Sequence, residues 1–341
     1  MNIYDISKLS GVSVTTVSRV LNGSDKVSEK TRQKVLSYIK QADYTPNPFA
    51  RGLGLNTMRT VGILCLDPAD ANSCINLTPA IGFIERELRR NNFDSILYCV
   101  QYDMRDKAAC LEMMMNRRVD AIIIVGSFFI ESNPKNNQCI LDAAKNVPIW
   151  LINGNLTGEN IYCMLSDDYN ITYTSTTELI STGVNDILFL YTTLSESEKR
   201  KMEGYKAAIQ NAERKVSKDY IQCCPRDIHE SHKFFDSLLA DGLKFDGVVT
   251  CEDTIAVSVV NFALSKGISI PEELSVIGSG NSILSEYCYP ALSTVDGNYE
   301  SLCVSAVSML IRHFEGVTAP SKATISSRLI LRNTTKNICK E

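Results

Sequence analysis

The stretch that decides the fold of the N-terminal region is DISKLSGVSVTTVSRVLNGSDKVSEKTRQKV, residues 5–35. On both sides of Gly11, apolar residues recur at helical spacing, namely Ile3, Ile6 and Leu9 before it and Val17, Val20 and Leu21 after it. Asn2 and Ser13 are suited to N-caps, and Gly11 permits a turn between the two segments. We therefore predict a first helix, a turn, and a second helix through about Asn22 that Gly23 ends.

The second predicted helix has a continuous outward face at positions i, i+1, i+4, i+5 and i+8, which are Val14, Thr15, Ser18, Arg19 and Asn22. A third helix is predicted from Ser28 to Tyr44, with Val35, Leu36 and Ile39 buried. This order fits a helix-turn-helix, whose second helix lies in the DNA major groove. On this pattern alone, a helical bundle with a solvated polar face remains the alternative.

In a helix-turn-helix, residues in the N-terminal half of the second helix contact the DNA bases. We predict base contacts for Val14 and Thr15, and bidentate contacts to guanine for Arg19 one turn later. Hydroxyl and amide side chains suit phosphate contacts, and those predicted to make them are Tyr4, Ser13, Ser18, Asn22 and Thr31.

The next segment, TPNPFARGLGLNT at 45–57, predicts a short helix with Asn47 as its cap and Pro48 at its first position. Two turns that contain two glycines cannot form a stable helix alone in water, so this helix needs a partner. A small apolar helix beside a DNA-reading module can enter the minor groove and insert a leucine between base steps.

Residues 5–35, followed by YTPNPFARGL at 44–53, resemble the lactose/galactose repressor (LacI–GalR) family across about sixty residues. The resemblance implies base readout by Val14, Thr15 and Arg19. It also implies a minor-groove hinge formed by Asn47, Ala50, Arg51 and Leu53, with Leu53 inserted. Gly54 departs from the Lys or Arg that is common in the family, so we expect one hinge–phosphate contact to be missing.

Charge and composition fit a DNA-binding head on a larger body. Residues 1–58 hold eight Lys/Arg and four acidic residues, giving +4, whereas the remaining 283 residues hold 27 and 35, giving −8. The first twenty residues do not resemble a signal peptide, and no run of eighteen apolar residues occurs, so we expect a cytoplasmic protein without a membrane partner. Twelve scattered cysteines without C-x-x-C spacing predict reduced thiols used as small core residues, Cys65, Cys99 and Cys251 among them.

From Thr60 onward, apolar strands alternate with amphipathic helices such as 78–90 and 253–266. Strands are predicted in TVGILCL, SILYCV, DAIIIV, PIWLI, DILFLY, FDGVVT, LSVIG and LSTVD. This alternation implies parallel sheets covered on both faces, and about 280 residues favour two lobes over one sheet. The predicted class is α plus α/β, with a helix-turn-helix domain at 1–46, a hinge helix and linker at 47–58, and an effector-binding and dimerisation domain at 59–341.

For this body the resemblance implies a two-lobed, periplasmic-binding-protein-like fold. Lobe one is expected at about 60–158 and 288–319, and lobe two at about 159–287 and 320–332, with three passages of the chain between them. Ligands of such folds bind at the carboxyl ends of the strands, in the crevice between the lobes.

The sequence predicts no enzyme, cofactor or metal site. His229 and His232 form an i, i+3 pair without an obvious third ligand, so a solvated helix face is the favoured interpretation. Asp167 and Asp168 lie between a strand and a helix, where capping is favoured over acid–base chemistry. Neither a G-x-G-x-x-G motif nor a phosphate-binding loop is present.

The resemblance also suggests cleft residues. Lys201 occupies the position of a family arginine three residues before a Gly-aromatic pair, and lysine is a point donor rather than a planar fork. Gly278–Ser279–Gly280–Asn281 replaces the family's Gly-aromatic-Asp, and the loss of the carboxylate puts a simple sugar effector in doubt. The predicted effector-binding residues are Ser73, Ile75, Ser127, Phe128, Asn153, Lys201, Glu252, Asp253 and Asn281.

These patterns predict a homodimer that binds a pseudo-palindromic DNA operator, usually as a repressor, under the control of a small-molecule effector such as a sugar or related metabolite. Three alternatives remain. They are a ligand receptor with a vestigial head, an α/β enzyme fused to a DNA-binding head, and a regulator that answers to a protein or to nothing small.

Overall fold

The computed structural model describes residues 1–21, 24–44, 58–69 and 75–336. The chain forms two compact units, Met1–Thr60 with Arg118–Asp120, and Val61–Arg117 with Ala121–Glu341. Several predicted site residues lie outside the described residues, namely Asn22, Asn47, Ala50, Arg51, Leu53 and Ser73, as do Gly23 and Gly54.

The head contains helices α1 (Ile3–Ser10), α2 (Val14–Leu21) and α3 (Glu29–Gln41), as the sequence predicts. Asn2 and Asp5 form a reciprocal capping box at the start of α1, and Gly11 ends α1 in the left-handed conformation, with φ at +66°. Ser28 caps α3 by accepting a hydrogen bond from Thr31 N. Local sequence chemistry therefore sets the ends of these helices.

The core of the head consists of Ile6, Val17, Val20 and Val35, with partly buried residues such as Leu21 and Ile39 packed around it. The prediction that Leu9 and Leu36 are buried is wrong, because their exposed fractions are 50% and 42%. A bundle of three short helices covers only a narrow stripe on each of them. Leu9 and Leu36 flank that stripe and remain outside it.

The body begins with strands and helices of the first lobe. They are β1 (Thr60–Leu66), α4 (Leu77–Arg90), β2 (Asp94–Val100), α5 (Lys107–Asn116), β3 (Ala121–Val125), α6 (Gln138–Ala144), β4 (Ile149–Ile152) and β5 (Ile161–Ser166). The chain continues with α7 (Asp168–Ser181), β6 (Ile187–Tyr191), α8 (Glu196–Asn211), β7 (Ile221–Cys223), α9 (Ile228–Ala240), β8 (Gly247–Thr250), α10 (Asp253–Ser265), β9 (Ser275–Ser279) and α11 (Ile283–Tyr287). It ends with β10 (Ser293–Asp296), α12 (Tyr299–Phe314), β11 (Lys322–Ile325) and β12 (Arg328–Ile330).

Two sheets of six described strands each organise these elements. The first sheet has the order β11-β5-β4-β3-β1-β2 and the second has the order β12-β10-β9-β8-β6-β7. The described pairings are parallel except that of β10 with β12, which is antiparallel. All eight predicted strands are present, and the two-sheet α/β architecture is as predicted.

The predicted lobe boundaries need correction, although three passages occur between residues 75 and 336 as expected. Strands β5 and β11 pair in the first sheet, and β10 pairs with β9 in the second. The chain therefore passes between lobes at about 167, 297 and 326 rather than at 159, 288 and 320. Strands β7, β11 and β12 were not predicted, because they are short or carry polar residues that weaken the apolar signal. Strand β5 was also missed, although its six residues, IYCMLS, are mostly buried.

Cys65 and Cys251 are buried as predicted, but Cys99 is exposed because β2 is an edge strand. Within the described residues, no helix is both long and apolar enough to cross a membrane.

Candidate nucleic-acid interface and effector cleft

Helix α2 separates an inner apolar side from an outer polar side. Val17 and Val20 are buried in the core of the head, whereas Thr15 and Arg19 are exposed and Val14 is half-buried. Ser13 caps the helix, since its Oγ accepts a hydrogen bond from Thr16 N at 3.2 Å. The three residues predicted to contact bases therefore share one accessible face beginning at the N-terminus of α2.

The described candidates for phosphate contact mostly lie at helix N-termini. Tyr4 is exposed in the first turn of α1, Ser13 is exposed at the cap of α2, and Thr31 is half-buried in the first turn of α3. Ser18 is half-buried on α2. Helix N-termini favour anions, because their free N–H groups and dipoles present positive charge. This placement is compatible with phosphate contact, which stays a prediction.

In the body, a cavity of about 810 Å³, counting the space open to solvent at its mouth, lies between the lobes. Residues just beyond the carboxyl ends of strands line it on both sides, among them Ser127 after β3, Asn153 after β4 and Thr193 after β6. This is the position at which open parallel sheets bind ligands.

Five of the predicted effector-binding residues line this cavity: Ser127, Phe128, Asn153, Lys201 and Glu252. Ile75 is not among the lining residues. Neither are Asp253 and Asn281, whose side chains instead hold the structure of the second lobe. Asp253 is buried and accepts hydrogen bonds from Ser282 and Thr294, and Asn281 accepts one from Arg332 Nη2 at 2.9 Å.

Several residues that line the cavity were not predicted from the sequence. They include Asn76, Thr193, Ser195, Glu198, Arg226, Ser279, Gly280 and Tyr299. Ser195 and Glu198 form a capping box at the start of α8, and this Ser-x-x-Glu pattern is readable from sequence. The others come from distant segments and have no local pattern that marks them.

The charged groups of the cleft are paired within the protein. Arg226 Nε donates to Glu252 Oε1 at 2.7 Å, and both side chains are largely buried. Lys201 Nζ donates to the Cys251 carbonyl at 2.8 Å and to Ser279 Oγ at 2.9 Å. Such pairing holds these side chains in fixed positions and offsets part of the cost of burying them.

Glu198 fixes the loop between β6 and α8 that forms one wall of the cleft. Its carboxylate accepts five hydrogen bonds, from the N–H and hydroxyl groups of Thr192 and Thr193 and from Ser195 N, at 2.7–3.0 Å. Burial acts to raise the pKa of Glu198, but these hydrogen bonds outweigh it and leave the pKa below its usual value. Glu198 is therefore held as a structural carboxylate.

The two sides of the cavity differ in polarity. Lobe one contributes mainly apolar side chains, namely Leu77, Ala80, Val125, Phe128 and Ile152. Lobe two contributes mainly polar ones, such as Thr193, Ser195, Lys201 and Arg226. The cavity therefore suits a compact ligand with one apolar face and one hydrogen-bonding face.

Several hydrogen bonds join the lobes around the cavity. Asn76 Nδ2 donates to the Gly280 carbonyl at 2.9 Å, Ser127 Oγ donates to Ser195 Oγ at 3.1 Å, and Lys199 Nζ donates to Ser132 Oγ at 3.0 Å. Because each bond connects one lobe to the other, they depend directly on the angle between the lobes.

The prediction that Asp167 and Asp168 cap a helix is wrong in detail. Asp167 occupies the cap position of α7, but its carboxylate accepts from the side chain of Asn170 rather than from backbone N–H groups. Asp168 forms a buried ion pair with Arg200 at 2.7 Å, which joins α7 to α8.

The histidine pair is only partly a solvated face. His229 is exposed, whereas the ring of His232 packs edge-on against Phe262. No group of three or more His, Cys, Asp or Glu residues suited to a metal ion occurs in the part of the chain that the structure describes.

Comparison with known proteins agrees with this architecture. Residues 2–47 match a family model described as "Bacterial regulatory proteins, lacI family", and residues 176–335 match one described as "Periplasmic binding protein-like domain". An HTH-type transcriptional regulator of Lachnoclostridium phytofermentans is 45% identical over 335 residues, which cover 98% of this chain and 99% of that protein.

The chain belongs to the lacI family of bacterial regulatory proteins. It is an HTH-type transcriptional regulator with a DNA-binding head and a periplasmic-binding-protein-like body.

Other lacI-family proteins are more distant over the same length. The NTD biosynthesis operon regulator NtdR of Bacillus subtilis is 28% identical over 98% of this chain and 99% of that protein. A lac repressor dimer bound to operator and the anti-inducer ONPF shares the fold, with a TM-score of 0.82 at 19% identity over 98% of this chain and 99% of that one. A CelR–cellobiose complex gives a TM-score of 0.72 at 19% identity, again over 98% and 99%.

Proposed function

We propose that this lacI-family regulator is a repressor that binds a pseudo-palindromic operator as a homodimer and responds to a small molecule in the cleft. The observation that carries the proposal is the outward face of α2, where Thr15 and Arg19 are exposed beside Val14. In a helix-turn-helix this face enters the major groove, where arginine can pair with guanine O6 and N7.

Phosphate and minor-groove contacts complete the proposed interface. Tyr4, Ser13, Ser18, Asn22 and Thr31 are assigned to phosphates. The segment that contains Asn47, Ala50, Arg51 and Leu53 is assigned to the minor groove. The +4 charge of residues 1–58 supports both assignments, because phosphate contact supplies much of the affinity of any DNA-binding protein.

An apolar patch on lobe two supports the homodimer. Ile283 and Tyr287 lie one turn apart on α11, Tyr289 follows, and the exposed fractions of the two tyrosines are 80% and 88%. Clustered large apolar side chains at a surface mark contact sites, and a second copy of the chain is the occupant we propose. The solved lac repressor dimer on its operator is a precedent for this assembly.

The effector site is assigned to the cavity lined by Ser127, Phe128, Asn153, Lys201 and Glu252. Ser73, outside the described residues, remains a candidate on the family resemblance alone. The proposed role is binding without turnover, inside the cytoplasm where the chromosome lies. Effector and operator are expected to be coupled by about 1–3 kcal/mol, the usual size of such linkage.

A second effector class is favoured by one observation. Gly280 offers no carboxylate, and its carbonyl is already engaged by Asn76, so the second lobe lacks the charged acceptor that paired sugar hydroxyls favour at this position. A ligand with fewer adjacent hydroxyls and one apolar face, such as a nucleoside, fits the cavity as well as a simple sugar does.

Selection from random DNA duplexes tests the proposal. The full-length protein is expected to enrich a pseudo-palindromic site at low ionic strength. Thermal-shift screening against sugars, sugar phosphates, nucleosides and amino acids then identifies effector classes, because a cleft ligand raises the melting temperature by mass action. Failure to enrich any sequence would refute the regulator role, and turnover of a sugar phosphate or nucleotide would favour an enzyme instead.

A further inference from the structure

A small second pocket lies against the effector cleft, where the chain passes between the lobes. Each passage contributes to it: Ser166 and Asp168 from the first, Gly297 and Tyr299 from the second, and Ser327 from the third. Lys201, Ser279, Gly280 and Tyr299 line both this pocket and the main cavity. The pocket, hereafter the hinge pocket, is therefore continuous in its walls with the effector cleft.

Two glycines lie in the walls of the hinge pocket. A Cβ on Gly297 would lie 3.2 Å from the ring of Tyr299 and 3.6 Å from Ser166 Oγ, both of which line the hinge pocket. A Cβ on Gly280 would lie 2.5 Å from Asn76 Nδ2, which lines the main cavity, and the φ of +133° at Gly280 is one that other residues rarely adopt. A side chain at position 297 would therefore narrow the hinge pocket itself.

Two of the hydroxyl groups in the hinge pocket, those of Ser166 and Ser327, lack partners in the part of the chain that the structure describes. Within the described residues, neither Ser166 Oγ nor Ser327 Oγ makes a hydrogen bond, although both atoms are buried. The exposed fraction of Ser166 is only 6%. Buried hydroxyls without partners are costly, so a polar group in the hinge pocket would be strongly favoured.

The charged side chains that line the hinge pocket already make contacts within the protein. The Asp168 carboxylate is paired with Arg200, and Lys201 donates to the neutral acceptors Cys251 O and Ser279 Oγ. Arg200, whose Nε and Nη1 have no acceptor among the described residues, is not among the lining residues, so the unpartnered lining atoms are the two serine hydroxyls. A hydroxyl can donate to one partner and accept from another, which matches two serine hydroxyls.

We propose that the hinge pocket is a subsite for one neutral hydroxyl group of the effector, such as a hydroxymethyl arm, while the rest of the effector fills the main cavity. The hinge pocket has room for about one water-sized group. A hydroxyl bound there contacts segments from all three passages, so its binding energy depends on the angle between the lobes. This inference rests on the effector role proposed for the cleft.

The test uses two pairs of probes whose members differ in a single hydroxyl-bearing group: glucose with xylose, which lacks the hydroxymethyl arm, and adenosine with 5′-deoxyadenosine, which lacks the 5′-hydroxyl. Calorimetry on the full-length protein is expected to give about tenfold tighter binding of the hydroxyl-bearing member of one pair, the size of one well-made hydrogen bond. The pair that shows the preference identifies the source of the hydroxyl.

Two substitutions in the hinge pocket test the proposed hydroxyl subsite in different ways. Ser166→Ala removes a hydroxyl. Gly297→Ala adds a methyl group to the hinge pocket at a residue whose φ is ordinary. Both are expected to abolish the tenfold preference while leaving the member without the arm within about twofold of its wild-type affinity. Ser326→Ala, an exposed neighbour in the third passage, is the matched control and should retain the preference.

Other results would overturn the inference. A preference that survives both variants would mean that the hinge pocket holds only an ordered water, as would equal binding of both members of each pair. Binding of no probe at about 10 mM would also overturn it. Because DNA selection requires no effector, that experiment still reports separately on the regulator role.

Discussion

In the head, the side chains assigned to DNA bases lie on one short helix and face outward, whereas in the body the cleft is lined by residues from Asn76 to Tyr299. Arg19 is exposed on α2, while Arg226 in the cleft is paired with Glu252 and largely buried. An exposed cation such as Arg19 is suited to DNA, because the phosphates of the DNA supply the negative charge that pairs with it. Paired charges suit a small ligand that must be oriented inside a shaped cavity.

The first prediction concerns a substitution that destabilises the head and leaves the stability of the body unchanged. Ile6→Ala is expected to lower the free energy of unfolding of the head by about 2–5 kcal/mol, because Ile6 is fully buried in a core of four residues. Fluorescence anisotropy should then show loss of DNA binding, while calorimetry shows the unfolding transition of the body unchanged.

Leu9→Ala is the matched control, since half of the Leu9 residue surface is exposed. It should change the stability of the head by no more than about 0.5 kcal/mol. Equal losses from both substitutions would contradict the assignment of the core.

The second prediction concerns the buried pair in the cleft. Arg226→Ala is expected to destabilise the body by about 3 kcal/mol, because it leaves the Glu252 carboxylate buried without its partner. Lys266→Ala removes the exposed pair with Asp236 and should cost less than about 1 kcal/mol in the same urea titration. A similar loss of free energy of unfolding in the two variants would show that burial does not make the Arg226–Glu252 pair more important for stability than the Lys266–Asp236 pair.

The third prediction sharpens the assignment of the recognition face. Arg19→Ala is expected to cost about 1–3 kcal/mol on the selected operator and to relax preference at one base pair per half-site. Lys8→Ala, also exposed in the head, should instead weaken binding to all sequences alike. Competition binding measures both, and an unchanged preference in Arg19→Ala would exclude base readout by this residue.

The fourth prediction is the smallest and depends on pH. Since the pKa of Glu198 is lowered in the folded state, its carboxylate stabilises the body above pH 4.5, the usual pKa of glutamate, and loses that contribution as pH falls through the lowered pKa. Glu198→Gln should therefore be less stable than wild type at pH 7, with a difference that shrinks below pH 4.5.

Denaturant titrations at several pH values measure this difference. Glu272→Gln, at an exposed position, is the control and should change the free energy of unfolding at pH 7 by no more than about 0.5 kcal/mol. A constant deficit of Glu198→Gln at every pH would mean that its charge contributes nothing.

The same contrast explains what could be predicted from sequence. The helices of the head follow from local signals, because Asn2, Gly11 and Ser28 set helix ends through contacts within a few residues. The parallel strands of the body follow from their apolar runs. Strands β11 and β12 escaped prediction because they are short strands at sheet edges, and this displaced the last predicted lobe boundary. The first boundary was displaced because β5 was missed, and the second because β10 belongs to the second sheet.

The cleft was only partly predictable for a physical reason. Ser127, Phe128 and Asn153 follow strands that are evident in the sequence, so their position could be inferred. Arg226 lines the cleft, where it pairs with Glu252, whereas the Asp253 carboxylate is turned to Ser282 and Thr294 and does not line it. Such choices between partners depend on tertiary packing.

The most direct test of major-groove reading by α2 is methylation interference on the selected operator with wild-type protein and Arg19→Ala. Guanine N7 lies in the major groove, so a methyl group on this atom blocks a side chain that contacts the base there. Methylation is expected to block wild-type binding at one or more guanines in each half-site, and Arg19→Ala should become insensitive at one of them. Binding that tolerates N7 methylation throughout the operator, or the same pattern for both proteins, would contradict the account.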